Sequence, residues 1–233
     1  MATLAVLLST GPAAAQNIAG VFGPVVDPDD RSAEARLAYV PSDEGSGDKV
    51  AARLHYQQSL SDHVRLRGIV IGIDSGTGSG FDYAGFQGEA VYQFTEDDAD
   101  FQAATRFDVL IGADGGSDIL SINFNLEQRL PGGFDVRAVV LLSDALNGPA
   151  SDGILAQTRA HVRHRWDSGV AVALELYNFH DRIGSGGLPD NSQLGPTVEV
   201  GFGDGFYALG GALFEIAGEP GDVDARLWLG KRF

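Results

Sequence analysis

Val223-Asp-Ala-Arg-Leu-Trp-Leu-Gly-Lys-Arg-Phe233 alternates up to the last residue of the chain. Val223, Ala225, Leu227, Leu229 and Phe233 share one face with Lys231, while Asp224, Arg226 and Arg232 lie on the other. A period of two is the mark of a β-strand with one apolar and one polar face. The same pattern recurs back along the chain in stretches of about ten residues separated by turn chemistry.

Twelve strands are expected, over residues 33–40, 49–60, 64–73, 83–94, 100–111, 118–130, 134–144, 154–166, 170–180, 193–202, 206–217 and 222–233. The sixth is the cleanest: Leu120, Ile122, Phe124, Leu126 and Leu130 oppose Ser121, Asn123, Asn125, Glu127 and Arg129. The tenth sets Leu194, Val198, Val200 and Phe202 against Gln193, Thr197 and Glu199. The third breaks parity, because Ile69, Ile71 and Ile73 fall in the register of Arg65 and Arg67. A bulge at Gly68 is expected to return the apolar face outward.

Connections alternate in length. Short ones (61–63, 95–99, 131–133, 167–169 and 203–205) alternate with mostly longer, Gly/Asp/Pro-rich ones (41–48, 74–82, 112–117, 145–153, 181–192 and 218–221). Phe94, Phe101, Phe134, Trp166, Phe202, Phe206 and Phe233 sit beside the short turns, as a girdle of rings at one membrane–water interface would. Half-buried strands of a soluble sandwich also alternate, but strands of ten to thirteen residues exceed the usual five or six.

Composition agrees. A chain of 233 residues with 32 glycines and no cysteine suits a turn-rich single-domain barrel without a disulfide framework. No run of 18 apolar residues exists, which excludes a transmembrane helix. The formal charge of −16 comes mostly from acids in connections, such as Asp27, Asp43, Glu96, Asp152 and Asp204. Fourteen of the sixteen cations are arginine, most of them inside strands. Acidic rims without a basic arm argue against a nucleic-acid partner. Leu4–Leu8, the Gly11-Pro12 break and Ala13-Ala14-Ala15 read as a signal peptide over 1–15, cut before Gln16, although the usual basic start is missing. Residues 16–32 are then an N-terminal segment on the periplasmic side, and 33–233 the barrel.

A terminal aromatic on the apolar face of the last strand resembles the C-terminal strand signature of bacterial outer-membrane β-barrels. The resemblance covers 33–233 and selects no subfamily. It implies a closed, antiparallel up-and-down all-β barrel of twelve strands in the outer membrane of a Gram-negative bacterium. It also implies contact with outer-membrane lipid and insertion by the barrel-assembly machinery, with Phe233 as the assembly signal.

In such a barrel the polar register faces the lumen. It contains Arg36, Arg53, Arg65, Arg67, Arg106, Arg129, Arg137, Arg159, Arg163, Arg165, Arg226 and Arg232. Against these twelve stand nine acids: Glu34, Glu89, Asp108, Glu127, Asp135, Glu175, Glu199, Glu215 and Asp224. Arginine–carboxylate pairs can knit the wall together, and a surplus of guanidinium along a water path favours anions. The densest feature is Arg159, His161, Arg163 and Arg165 in one row of the eighth strand, with Asp135, Arg137 and Glu175 as expected neighbours.

Other chemistry is thinly supported. The five histidines do not converge at metal-ligand spacing and no cofactor motif is present. The Asp/Gly loops at 74–82 and 112–118 match no EF-hand. No catalytic signature occurs. Outer-membrane phospholipase A-type enzymes use about twelve strands and a Ser–His pair. Here the one outward histidine of a strand, His164, has Val162 and Trp166 as register neighbours and no partner serine. The leading expectation is a narrow passive channel for small solutes, anions among them. A closed structural or surface-interaction barrel is the alternative, and a lipid-acting enzyme the third. No pattern selects a solute or an oligomeric state.

Overall fold

The structure, a computed structural model, describes residues 18–41, 48–74, 80–96, 98–147, 153–183, 191–217 and 223–233. Twelve strands are formed: β1 (Arg31–Val40), β2 (Lys49–Ser59), β3 (Val64–Asp74), β4 (Asp82–Gln93), β5 (Phe101–Gly112) and β6 (Ile119–Leu130), then β7 (Phe134–Ala145), β8 (Leu155–Arg165), β9 (Val170–Arg182), β10 (Asn191–Phe202), β11 (Phe206–Ala217) and β12 (Val223–Arg232). Each strand pairs antiparallel with its neighbours in the chain, and β1 pairs with β12, from Ser32 opposite Arg232 to Tyr39 opposite Ala225. The expected closed twelve-stranded up-and-down barrel is therefore the fold. Closure leaves no unpaired edge.

The faces decide what surrounds it. Leu54, Leu66, Phe86, Phe107, Phe124, Val162, Leu174 and Leu229 are exposed on the outer wall, whereas Arg67, Glu89, Arg106, Asn123, Glu127, Arg159 and Glu175 are buried inside. A soluble sandwich would invert this arrangement. A continuous outer belt of large apolar side chains around a polar interior is stable only against lipid, so the barrel is a transmembrane one. Phe94, Phe101, Phe134, Trp166, Phe202, Phe206 and Phe233 are all exposed at the rim of the short turns.

The expected bulge at Gly68 is absent. The β2–β3 ladder runs unbroken from Val50–Asp74 to Ser59–Arg65, and the β3–β4 shift falls at Ile71/Gly72. Val70 points outward and is exposed; Ile69 and Ile71 point inward and are buried. Ile73, next on the same face, packs against Ile18 of the N-terminal segment.

Residues 18–26 lie inside the barrel and 27–30 at its short-turn rim, so the N-terminal segment expected on the periplasmic side is in large part in the lumen. Ahead of β1, the segment starts from the short-turn rim, where Ser59 Oγ donates to the Asp27 carbonyl (2.5 Å). Val26 packs on Val91 and Ala104, which flank the short turn after β4. Deeper in the lumen, Val21 packs with Val139, Tyr177 and Leu213. Ile18 reaches Ala38, Ala51 and Ile73, near the opposite rim. Burying apolar side chains of this size contributes about 1.5–3 kcal/mol each, which the run Ile18-Ala-Gly-Val-Phe-Gly-Pro-Val-Val26 obtains only inside the ring. The proposed leader, 1–15, and its boundary at Gln16 lie outside the described residues.

Candidate functional site

The segment in the lumen is held mainly by arginine. Arg36 Nη1 donates to the carbonyls of Ile18 (3.1 Å) and Ala19 (2.7 Å). Arg159 Nη1 donates to the Gly20 carbonyl (2.9 Å) and Arg65 Nη1 to that of Val25 (3.2 Å). The Phe22 ring lies beneath three guanidinium groups, those of Arg67 (4.4 Å), Arg106 (4.5 Å) and Arg36 (5.2 Å from the ring centre). The negative face of an aromatic ring attracts such cations. Gly20 sits against the Trp228 ring with a φ of +73°, a backbone conformation that a side chain would strain and a space that it would not fit.

The wall itself is a network of pairs. On β8 the row of Arg159, His161, Arg163 and Arg165 is present, and two of its members share one carboxylate, Asp135. Arg163 Nε donates to Asp135 Oδ2 (2.8 Å), His161 Nε2 lies 3.0 Å from Asp135 Oδ1, and Arg165 Nη2 donates to Glu199 Oε1 (2.9 Å). Arg159 is bonded to Gln157 as well as to Gly20 and has no carboxylate partner among the described residues. Glu175, expected beside this row, is opposite His161 in register but binds elsewhere. It accepts from Arg226 Nη2 (2.6 Å), the Tyr177 hydroxyl (2.6 Å) and Thr197 Oγ1 (2.9 Å). Because Arg226 is on β12 and Glu175 on β9, this bridge crosses the lumen.

A second network joins Arg67 Nε to Glu89 (3.3 Å) and Arg106 Nε to Asp108 (2.9 Å); Arg106 Nη1 stands 3.8 Å from Glu89, and Asn123 donates to Asp108 (2.6 Å). Glu127 takes Arg137 (2.5 Å) and, more loosely, Arg129 (3.5 Å), which lies towards the rim and is 39% exposed. Arg53 stands opposite Arg36 in the β1–β2 ladder. Arg36 is paired with Glu34 of the same strand (2.5 Å).

Between the segment and the wall lies a cavity of about 290 Å³ towards the short-turn rim. Seven arginines line it (Arg36, Arg65, Arg67, Arg137, Arg163, Arg165 and Arg232) against two acids, Glu34 and Glu199. Glu89, Glu127 and Asp135, which pair with Arg67, Arg137 and Arg163, are absent from that lining. A smaller space of about 70 Å³, sharing Arg137, Arg163, Glu199 and Trp228, extends it inward to Val21 and Glu175. The Val21–Val139–Tyr177–Leu213 cluster lies beyond.

Sequence reasoning missed the lumen segment and the aromatic side chains that meet it. A signal was available: Ile69, Ile71, Val139 and Leu213 are apolar at luminal parity, which demands an apolar occupant. His164 lies between the rings of Phe134 (4.4 Å) and Trp166 (4.3 Å), as part of the aromatic rim.

No protein-family model matches the chain, and no curated protein is similar to it. Solved structures are. The KdgM porin in complex with disordered oligogalacturonate matches at 10% identity and a TM-score of 0.66, covering 87% of this chain and 99% of that one. The COG4313 outer membrane channel from Pseudomonas putida F1 matches at 11% identity and a TM-score of 0.68, over 90% and 98%. The NanC porin matches at 11% and 0.62, over 86% and 100%. At such identities the likeness is one of fold, and this chain has the barrel fold of those outer-membrane channels.

Proposed function

We propose that the chain is an outer-membrane barrel that passes or binds small anionic solutes, with the short-turn rim facing the periplasm. The carrying observation is the cavity lined by seven arginines and two glutamates. Two lumen cations, Arg159 and Arg232, have no carboxylate partner among the described residues, so the interior is positive although the chain as a whole carries −16. Charged walls of one sign select counter-ions at close quarters. The porins of the same fold, one of them bound to oligogalacturonate, support transport rather than catalysis.

On this reading the outer belt contacts membrane lipid, and the Phe233 strand is the part that the barrel-assembly machinery engages. Arg65, Arg67, Arg163 and Arg165 present the charge; Glu89, Asp135 and Glu199 hold those side chains in place.

A second reading, a closed barrel without transport, is favoured by residues 18–26 and by the Glu175–Arg226 bridge, both of which cross the lumen. Planar-bilayer recording of the refolded protein separates the two. An anion channel gives a small conductance with a reversal potential on the anion side in a salt gradient. No conductance from the full chain, nor from a chain lacking 18–26, rejects the channel.

A further inference from the structure

Residues 18–26 present to the lumen no charge at all; they offer carbonyls, an aromatic face, apolar side chains and the Val26 N–H, which donates to Gln93 Oε1. Yet most of the groups that hold them are guanidiniums: Arg36 on Ile18 and Ala19, Arg159 on Gly20, Arg65 on Val25, and Arg36, Arg67 and Arg106 over Phe22. Three of these, Arg36, Arg65 and Arg67, also line the open cavity, together with Phe22, Gly23 and Val25 of the segment itself. The segment and any anion entering the cavity therefore meet the same donors.

We infer that residues 18–26 are an internal competitor for the anion site, displaced from the guanidiniums by a polyvalent carboxylate and not by chloride. The inference rests on the anion-site reading above. A carboxylate makes shorter and stronger hydrogen bonds to guanidinium than a neutral carbonyl does. The apolar anchors Ile18, Val21 and Val26 oppose release, so an anion that engages one arginine leaves the segment in place. An anion that engages several gains affinity only for the displaced state, and a ligand shifts an equilibrium only through such a difference. Phe22 is the specificity-determining residue: its ring occupies the face that three arginines would turn to the solute.

The test uses the full chain in lipid, with citrate as the polyvalent carboxylate and chloride at matched ionic strength as control. The chain has no cysteine, so Val21→Cys places one thiol on a residue buried against Val139, Tyr177 and Leu213. Maleimide labelling is expected to be slow in chloride and at least tenfold faster in citrate. Calorimetric titration should show a chain lacking 18–26 binding citrate at least tenfold more tightly than the full chain, because the competitor no longer reduces the competent fraction. Labelling that is already fast in chloride, or unchanged by citrate that does bind, overturns the inference and leaves the anion site standing. Equal affinity in both chains overturns it too. Absence of citrate binding by both chains overturns the anion site itself. If the shortened chain does not fold, the labelling comparison decides alone.

Discussion

Tyr207 of β11 lies across Gly230 of β12 and donates its hydroxyl proton to Glu34 Oε2 of β1 at 2.7 Å. One side chain thus spans the β12–β1 seam from within, and it can do so because position 230 has no Cβ; added there, that atom would overlap the Tyr207 ring. Gly230→Val is expected to expel the ring and lower barrel stability by about 1–3 kcal/mol, the usual cost of overpacking. Heat-modified gel mobility against temperature measures it. A midpoint equal to that of the native chain would show that the seam does not depend on this contact.

Glu175 is the acceptor for three donors on three other positions, Arg226, Tyr177 and Thr197. Glu175→Ala removes the carboxylate that three buried donors share and should cost about 3–5 kcal/mol. The double change Glu175→Leu with Arg226→Met should cost less than the single one. Urea unfolding in lipid vesicles tests the order of the two.

Arg165 and Arg163 face the same cavity under different constraints. Arg165 is 39% exposed and its pair with Glu199 is near the rim, so its loss should change stability by at most ~1 kcal/mol. Arg163 shares Asp135 with His161 in a more enclosed position. Arg165→Gln is expected to move the reversal potential towards cations with stability nearly intact; the triple change Arg159, Arg163 and Arg165 to Gln should move it further and weaken the barrel. A triple variant with native selectivity removes these arginines from the conduction path.

Phe233 lies outside on the short-turn rim, with its amide donating to the Arg31 carbonyl (2.8 Å) and the Lys231 ammonium 5.5 Å from its ring. Deleting Phe233 should reduce assembled, heat-modifiable barrel in cells more than deleting a loop residue. Equal barrel levels in the two strains count against an assembly role.

Removal of the leader after Ala15 should leave a mature chain beginning at Gln16. Mass spectrometry of membrane-extracted protein reads this directly, and a chain that retains Met1 refutes it.

The barrel was legible in the sequence because strand periodicity is local: Leu120 to Leu130 and Val223 to Phe233 carry their own pattern, and every strand lies within two residues of its expected range. The lumen was less legible because it depends on what meets across the ring. Asp135 could be placed beside Arg163 from sequence spacing, since the two are direct neighbours on β7 and β8. Glu175 could not be placed with Arg226, because β10 and β11 intervene and register alone says nothing of reach. Ile69, Ile71 and Ile73 continue the luminal parity of β3, and the apolar partner of Ile73, Ile18, precedes the first strand.

Pairing of β1 with β12 joins the first strand made to the last, so the ring cannot shut until the whole chain is available. The stretch that occupies the interior is attached directly to β1, which places it at the lip of the growing sheet from the outset. The order of events follows from that attachment. A sheet curling from β2 to β11 can gather around residues 18–26 while the seam is open; once it has shut, the same residues would have to be threaded in through a mouth lined with side chains. The seam and the stretch that fills the interior thus meet at a single strand, β1.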